Sequence, residues 1–159
     1  MSITQYFDQH IDSLDNTSKK NRTVPGTCVK ESTIHDCGVG LYADENIEKG
    51  SHIGWYYGKV FIEYPHNNSQ YILNVHSKPS WVSDDIWKKR IPGHGIFIDG
   101  DPVYSTNEDD DIKYRLGRLN HKTNKYINAK FLSNGRLVAT KKIEKGCEIF
   151  INYGSDYFE

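Results

Sequence analysis

Gly38-Val39-Gly40-Leu41-Tyr42-Ala43 can be read in two ways, and the fold turns on the choice. As G-x-G-x-x-A it is similar to a dinucleotide fingerprint, which must leave a strand and open a long helix inside a parallel unit. The surrounding residues do not supply that context. Leu41–Ala43 reads as strand, and Gly50 follows within a turn, leaving no room for a helix. The glycines instead suit a backbone loop lying close against a ligand, since a residue without Cβ permits that approach. Taken alone, the loop could equally be an ordinary tight turn.

Working outward, short runs of Val, Ile, Tyr and Phe alternate with Gly, Pro and Asn clusters from Thr27 onward, the texture of many small strands. Strands are expected at Cys28–Glu31, Leu41–Ala43, Ile53–Tyr57, Val60–Tyr64, Tyr71–Val75, Ile96–Asp99, Asn128–Leu132, Arg136–Lys141 and Glu148–Asn152. Short helices are expected at Ser83–Lys89, with Ser83 as cap, and at Asp110–Leu116. Upstream, Ile3, Phe7, Ile11 and Leu14 share a face at helical spacing. Asn16–Thr27, which contains Pro25-Gly26, reads as a linker. The chain thus divides into an amphipathic helix and linker (1–27) and a mainly β domain with short helices (28–159). Inside that domain Ala43-x-x-x-Ile47-Glu48-Lys49-Gly50 is echoed by Ala139-x-x-x-Ile143-Glu144-Lys145-Gly146. Each copy is expected to leave a strand, make a one-turn helix and start another strand through its Gly. Two copies exclude a solenoid.

The composition narrows the function. A formal charge of -1 over 159 residues argues against a general nucleic-acid binder, and no direct nucleic-acid partner is expected. No apolar run approaches a membrane span, and Met1–His10 lacks a signal-peptide core, so a soluble intracellular protein is expected. Cys28, Cys37 and Cys147 form no paired spacing and the seven histidines no cluster, so no metal site is expected. Asn67-Asn68-Ser69 matches the glycosylation pattern only by chance in such a protein.

The decisive feature is a succession. Gly38-x-Gly40 and Ile47-x-x-Gly50 are followed by Tyr56-Tyr57-Gly58, Asn120-His121 and Glu148-Ile-Phe-Ile-Asn-Tyr153-Gly154. In this order the pieces resemble the signature of the SET-domain protein-lysine methyltransferases. Arg115–His121 looks most like the monomethylating SET enzyme of animal chromatin, and the ending Tyr153–Phe158 is more similar to short viral SET proteins. The resemblance covers Cys28 to Phe158. It implies a fold of several small curved sheets in which the carboxy-terminal segment threads past Asn120-His121 as a pseudoknot.

The resemblance also implies S-adenosylmethionine as cofactor and a histone tail or other basic lysine-containing peptide as partner. The nucleus is then the expected place for a histone substrate and the cytoplasm for another, and a homodimer is allowed. Tyr153 would align the reacting amine and methyl group, with Tyr56 lining the pocket where they meet. Gly38, Val39, Gly40, Leu41 and Tyr42, with Asn120 and His121, would hold the cofactor. Tyr157 or Phe158 would stack on adenine or close the lysine channel. Tyr71, Asp99 and Ile151 would line the substrate channel. Methyl transfer to lysine is a direct displacement that needs an unprotonated amine. With a pKa of about 10.4, that form costs roughly 4–5 kcal/mol at neutral pH. A desolvated channel beside the sulfonium charge lowers this cost, so no dedicated general base is required.

Several positions depart from the family pattern. Trp55 stands where many relatives carry Glu, Gly117 where Arg is common, Lys122 where Ser is common, and Asn152 where Asp is common. Ile151 replaces a frequent Phe or Tyr two residues before Tyr153, which suggests room for di- or trimethylation. Only six residues follow Tyr153, so the channel is expected to be closed without a zinc-binding tail, by those six residues, the Ser77–Gly95 insertion with Trp81 and Trp87, the amino-terminal helix or another subunit. The insertion is the favoured expectation. Two alternatives remain: a catalytically inactive SET module acting as a peptide-binding scaffold, and a small strand-rich binding domain that only mimics the signature.

Overall fold

The computed structural model describes residues 26–122 and 124–152. The expected amino-terminal helix lies outside them. The described residues form ten short strands in four small sheets with two short helices between. Strands β1 (Thr27–Glu31) and β2 (Val39–Ala43) pair antiparallel. Strands β3 (His52–Trp55), β9 (Arg136–Ala139) and β8 (Ala129–Phe131) form a second sheet in that order, with β9 central. Strands β4 (Lys59–Phe61), β6 (Ile96–Asp99) and β5 (Ile72–Val75) form the third, with β6 central. Strands β7 (Asn120–His121) and β10 (Phe150–Ile151) make a two-residue parallel pair.

That last pair places the site. Ala43 N–H donates to the Cys147 carbonyl and Ile149 N–H to that of Leu41, so the carboxy-terminal segment joins β2 along one side. Along its other side it pairs with β7, Phe150 opposite Asn120 and Ile151 opposite His121. This is the threading that the resemblance implies. The sequence reading missed β7, because two residues carry no periodicity.

The echo has a structural reason. Ile47 and Ile143 exchange both backbone hydrogen bonds at 2.8 Å, and the flanking pairs Gly50 to Ala139 and Gly146 to Ala43 also close at 2.8 Å. The two copies are partners in one reciprocal clasp. Neither makes the expected one-turn helix. Each closes a tight turn, Ser51 N–H to Glu48 and Cys147 N–H to Glu144, with Gly50 and Gly146 at φ 83 and 89. Only glycine adopts that left-handed conformation without steric cost.

Apolar positions of all four sheets meet in one core that includes Leu41, Leu73, Ile98, Leu137 and Ile151. Each fully buried Leu or Ile contributes about 1.5–3 kcal/mol. Helix α1 (Asp84–Lys88) is capped by Ser83, whose hydroxyl accepts from Ile86 N–H, and acidic Asp84 and Asp85 suit its positive end. It carries Ile86 into the core beside Trp81 and Val82. Trp81 is wholly buried against Tyr57, ring centroids 4.9 Å apart. The Ser77–Gly95 insertion therefore anchors the core through the tryptophan that was expected to line a channel. Helix α2 (Glu108–Lys113) begins two residues earlier than expected, and a separate 3-10 turn, Arg115–Arg118, follows it. The turn packs so tightly that a Cβ on Gly117 would lie 2.3 Å from the Gly100 carbonyl oxygen.

Candidate functional site

The site is built on the loop joining β1 to β2. Asp36 and Gly38 turn it with left-handed φ of 63 and 66, and Ser32 N–H donates to the Gly38 carbonyl at 2.8 Å. Glu148, from the threaded carboxy-terminal segment, is the hub beneath it. One carboxylate oxygen accepts from Thr33 N–H and Thr33 Oγ1 at 2.8 and 2.7 Å. The other accepts from Ser32 Oγ at 2.8 Å and Asn120 Nδ2 at 3.0 Å. Burial pushes this carboxyl up, but the hydrogen bonds from Asn120, Thr33 and Ser32 outweigh it and hold it below its ordinary value. A Cβ on Gly40 would lie 2.2 Å from this carboxylate, so the second glycine is there to admit Glu148.

Asn120 closes the opposite wall. Its amide also donates to the Val39 carbonyl at 3.0 Å, tying β7 to β2. Between these walls lies a cleft of about 370 Å³, within the size range of small-molecule sites, lined by Cys37, Val39, Gln70, Tyr71, Arg118, Asn120 and His121. The sequence-predicted residues Val39, Asn120, His121 and Tyr71 thus meet in one place, framed by the Gly38–Gly40 loop.

The others stand behind it. Tyr56 is buried, edge-on to Phe131, and its hydroxyl donates to the Tyr71 carbonyl at 2.6 Å. It supports the cleft wall from beneath. Asp99 is wholly buried and accepts from Asn67 Nδ2 at 2.9 Å, Ser69 Oγ at 2.8 Å and Asp101 N–H at 3.2 Å, fixing the loop that leads into Gln70-Tyr71. Burial and the charge of Asp99 push the nearby Tyr104 hydroxyl up. Leu41 and Ile151 are core residues. Tyr42 is buried, and its hydroxyl donates to the Glu31 carbonyl at 2.6 Å; burial and the charge of Glu148 raise its pKa. Tyr153, Tyr157 and Phe158 lie outside the described residues. Among the described residues no group of three or more His, Cys, Asp or Glu is gathered as for a metal, and no helix is long and apolar enough to cross a membrane.

The sequence reading held Glu148 only as the first residue of a signature piece, with no role assigned, and gave none to Asn67 and Ser69. The charge of Glu148 at the start of an apolar strand was the available signal. Asn67 and Ser69, passed over as a chance glycosylation match, hold Asp99 instead.

The family model described as SET domain matches residues 38–154. No curated protein sequence is found to match the chain. Among solved structures, an active polycomb repressive complex 2 in the basal state is similar, with TM-score 0.51 and 21% identity over 81% of this chain. The Chaetomium thermophilum polycomb repressive complex 2 matches with TM-score 0.51 and 20% identity over 82% of this chain. An autoinhibited ctPRC2 bound to S-adenosylmethionine matches with TM-score 0.52 and 21% identity over 86%. The chain spans only 15%, 15% and 16% of those chains' lengths, and likeness at this identity speaks for the fold.

Proposed function

The chain belongs to the SET-domain family, a family of S-adenosylmethionine-dependent protein-lysine methyltransferases, and from that premise we propose that it methylates a lysine of a histone tail or similar basic peptide. One observation carries the reading: Val39, Tyr71, Asn120 and His121, far apart in the chain, line a single cleft whose walls Glu148 pins together. The lining fits the cofactor's chemistry. The backbone of the Cys37–Val39 loop offers polar groups for the amino-acid end, Arg118 a cation for its carboxylate, and the His121 ring a face for adenine. When bound, S-adenosylmethionine supplies a methyl group on a positively charged sulfur.

The chain's own residues exclude water, orient and align. Tyr71 forms the wall, held by the Tyr56 hydroxyl and by the loop that Asp99 fixes. Tyr153, two residues beyond β10, is assigned the alignment of amine and methyl. The amine would lose its proton to solvent first, and Tyr153 would then hold the neutral nitrogen toward the methyl group that bound S-adenosylmethionine would supply. Ile151, which is small and lacks a hydroxyl, favours products beyond monomethyl-lysine. The division of the chain near residue 27 and the pairing of two copies belong to the same proposal.

The test is transfer of labelled methyl from S-adenosylmethionine to core histones by the full chain. Transfer that is lost in Tyr153→Phe, with cofactor binding retained by calorimetry, is the expected result. Binding without transfer would favour the scaffold reading, and absence of binding would overturn both. Mass spectra showing only monomethyl-lysine would remove the role given to Ile151.

A further inference from the structure

A second cleft opens beside β10, with Phe150 in its lining. It encloses about 610 Å³ and is lined by Lys122, Lys125, Lys141 and Lys142 against two carboxylates, Glu144 and Glu148, with Tyr126 and Phe150 among its apolar groups. The charge balance behind it is lopsided. Half of the chain's 20 Lys and Arg fall within residues 113–147, where Glu144 is the only acidic residue. The overall charge of -1, which argues against a general nucleic-acid binder, averages over this asymmetry.

The lysines are held together without being neutralised. Lys122 Nζ sits 3.9 Å from the centre of the Tyr126 ring and 5.1 Å from that of Phe150, and Lys125 Nζ sits 5.0 Å from Tyr126. Lys141 Nζ donates to the Lys125 carbonyl at 2.9 Å. Lys142 has the Glu48 carboxylate at 4.0 Å; among the described residues no ion pair reaches the other three, although Glu144 and Glu148 share the lining. A ring face or a carbonyl stabilises an ammonium but cancels none of its charge. Four cations against two carboxylates, one of them Glu148 held by neutral donors, leave the cleft a net positive field toward solvent.

We propose that this cleft binds the phosphodiester backbone of nucleic acid, without reading its bases. Lys122 and Lys125 both lie against the Tyr126 ring, so the contact proposed is electrostatic. The two clefts adjoin along the chain at the end of β7: Asn120 and His121 line the first, and Lys122, the residue after the strand, lines the second. Nucleic acid held here lies next to the methyl-transfer cleft, which suits a substrate lysine on a protein bound to nucleic acid. The binding itself does not depend on the methyltransferase reading and is measured without cofactor.

The experiment is fluorescence anisotropy of the full chain with a short labelled DNA duplex across a salt series. Binding should weaken with salt, with a log–log slope of about −3 to −4 if the four lysines each neutralise one phosphate. A K125E/K141E/K142E variant, checked for folding by circular dichroism, should lose binding by roughly tenfold or more, with a shallower slope. K88E/K89E, at the end of α1, should leave it unchanged. Three results would overturn the proposal: no salt-dependent binding, equal loss in both variants, or displacement of the duplex by a poly-glutamate peptide of matched charge at equal concentration.

Discussion

Replacing Glu148 by Gln is nearly isosteric, and the hydrogen-bond pattern says that it cannot be tolerated. Both carboxylate oxygens accept, one from Thr33 N–H and Oγ1, the other from Ser32 Oγ and Asn120 Nδ2. A glutamine presents one acceptor and one donor. Turned one way, its NH2 opposes Asn120 Nδ2, which cannot invert without losing the Val39 carbonyl. Turned the other way, it opposes the Thr33 backbone N–H, which cannot invert at all. The hydroxyls of Ser32 and Thr33 can rotate, so the unavoidable loss is one charge-assisted hydrogen bond, worth about 1.5–3 kcal/mol. For a chain of this size that lowers Tm by roughly 4–10 °C. The pH dependence adds a second readout. The folded-state pKa of Glu148 is depressed, so its stabilisation is complete above the ordinary carboxyl value of 4.5 and is lost as pH falls through the lower folded value. The gap between wild type and Glu148→Gln in thermal unfolding should therefore narrow progressively below that pH. A variant that melts with the wild type at pH 7, or a gap that does not change with acid, would refute the reasoning.

Three further outcomes follow from the same geometry. Gly40→Ala places Cβ 2.2 Å from the Glu148 carboxylate and 3.0 Å from Asn120 Nδ2, so it should cost about 1–3 kcal/mol in Tm measurements and weaken S-adenosylmethionine binding in calorimetry. Tyr56→Phe removes the hydroxyl that holds the Tyr71 carbonyl at 2.6 Å; a loss of about 1 kcal/mol is expected by denaturant titration, together with a changed methyl-transfer rate if that wall aligns the reaction. His52 accepts from Arg136 Nε at 2.9 Å, and burial together with that guanidinium lowers its pKa. The unfolded chain then binds the proton more readily, so this site's stabilisation is present above about pH 6.5 and declines as pH falls below it. Unfolding midpoints measured on His52→Asn should show a flatter slope there than the wild type.

Much of the fold was legible because periodicity is local. Ile96–Asp99 is found where alternation puts it, and the other expected strands are recovered within a few residues of their ends. What was not legible depends on partners distant in sequence. β7 exists only because Phe150 and Ile151 run beside Asn120 and His121. Trp81 suggested a channel, but an indole in an insertion is large enough to become the anchor of a core. In the site, the order of signature pieces brought Val39, Asn120, His121 and Glu148 into the reading, whereas the role of Glu148 and the cage around Asp99 needed coordinates, because hydrogen-bond partners distant in sequence leave no pattern along the chain. Tyr56, expected to line the pocket, is buried behind the cleft wall, and its hydroxyl reaches the Tyr71 carbonyl instead.

The reciprocal clasp of Ile47 with Ile143 and the bond of Ser32 to Glu148 across 116 residues have a consequence during synthesis. The segment from Ala139 to Ile151 supplies one half of the clasp, one side of the β2 pairing and all of β10. Until it leaves the ribosome, β2 has only β1 beside it and β7 has no partner. A nascent chain paused before residue 139 should therefore be sensitive to protease and bound by chaperones, and should acquire its protected form in a single late step rather than strand by strand.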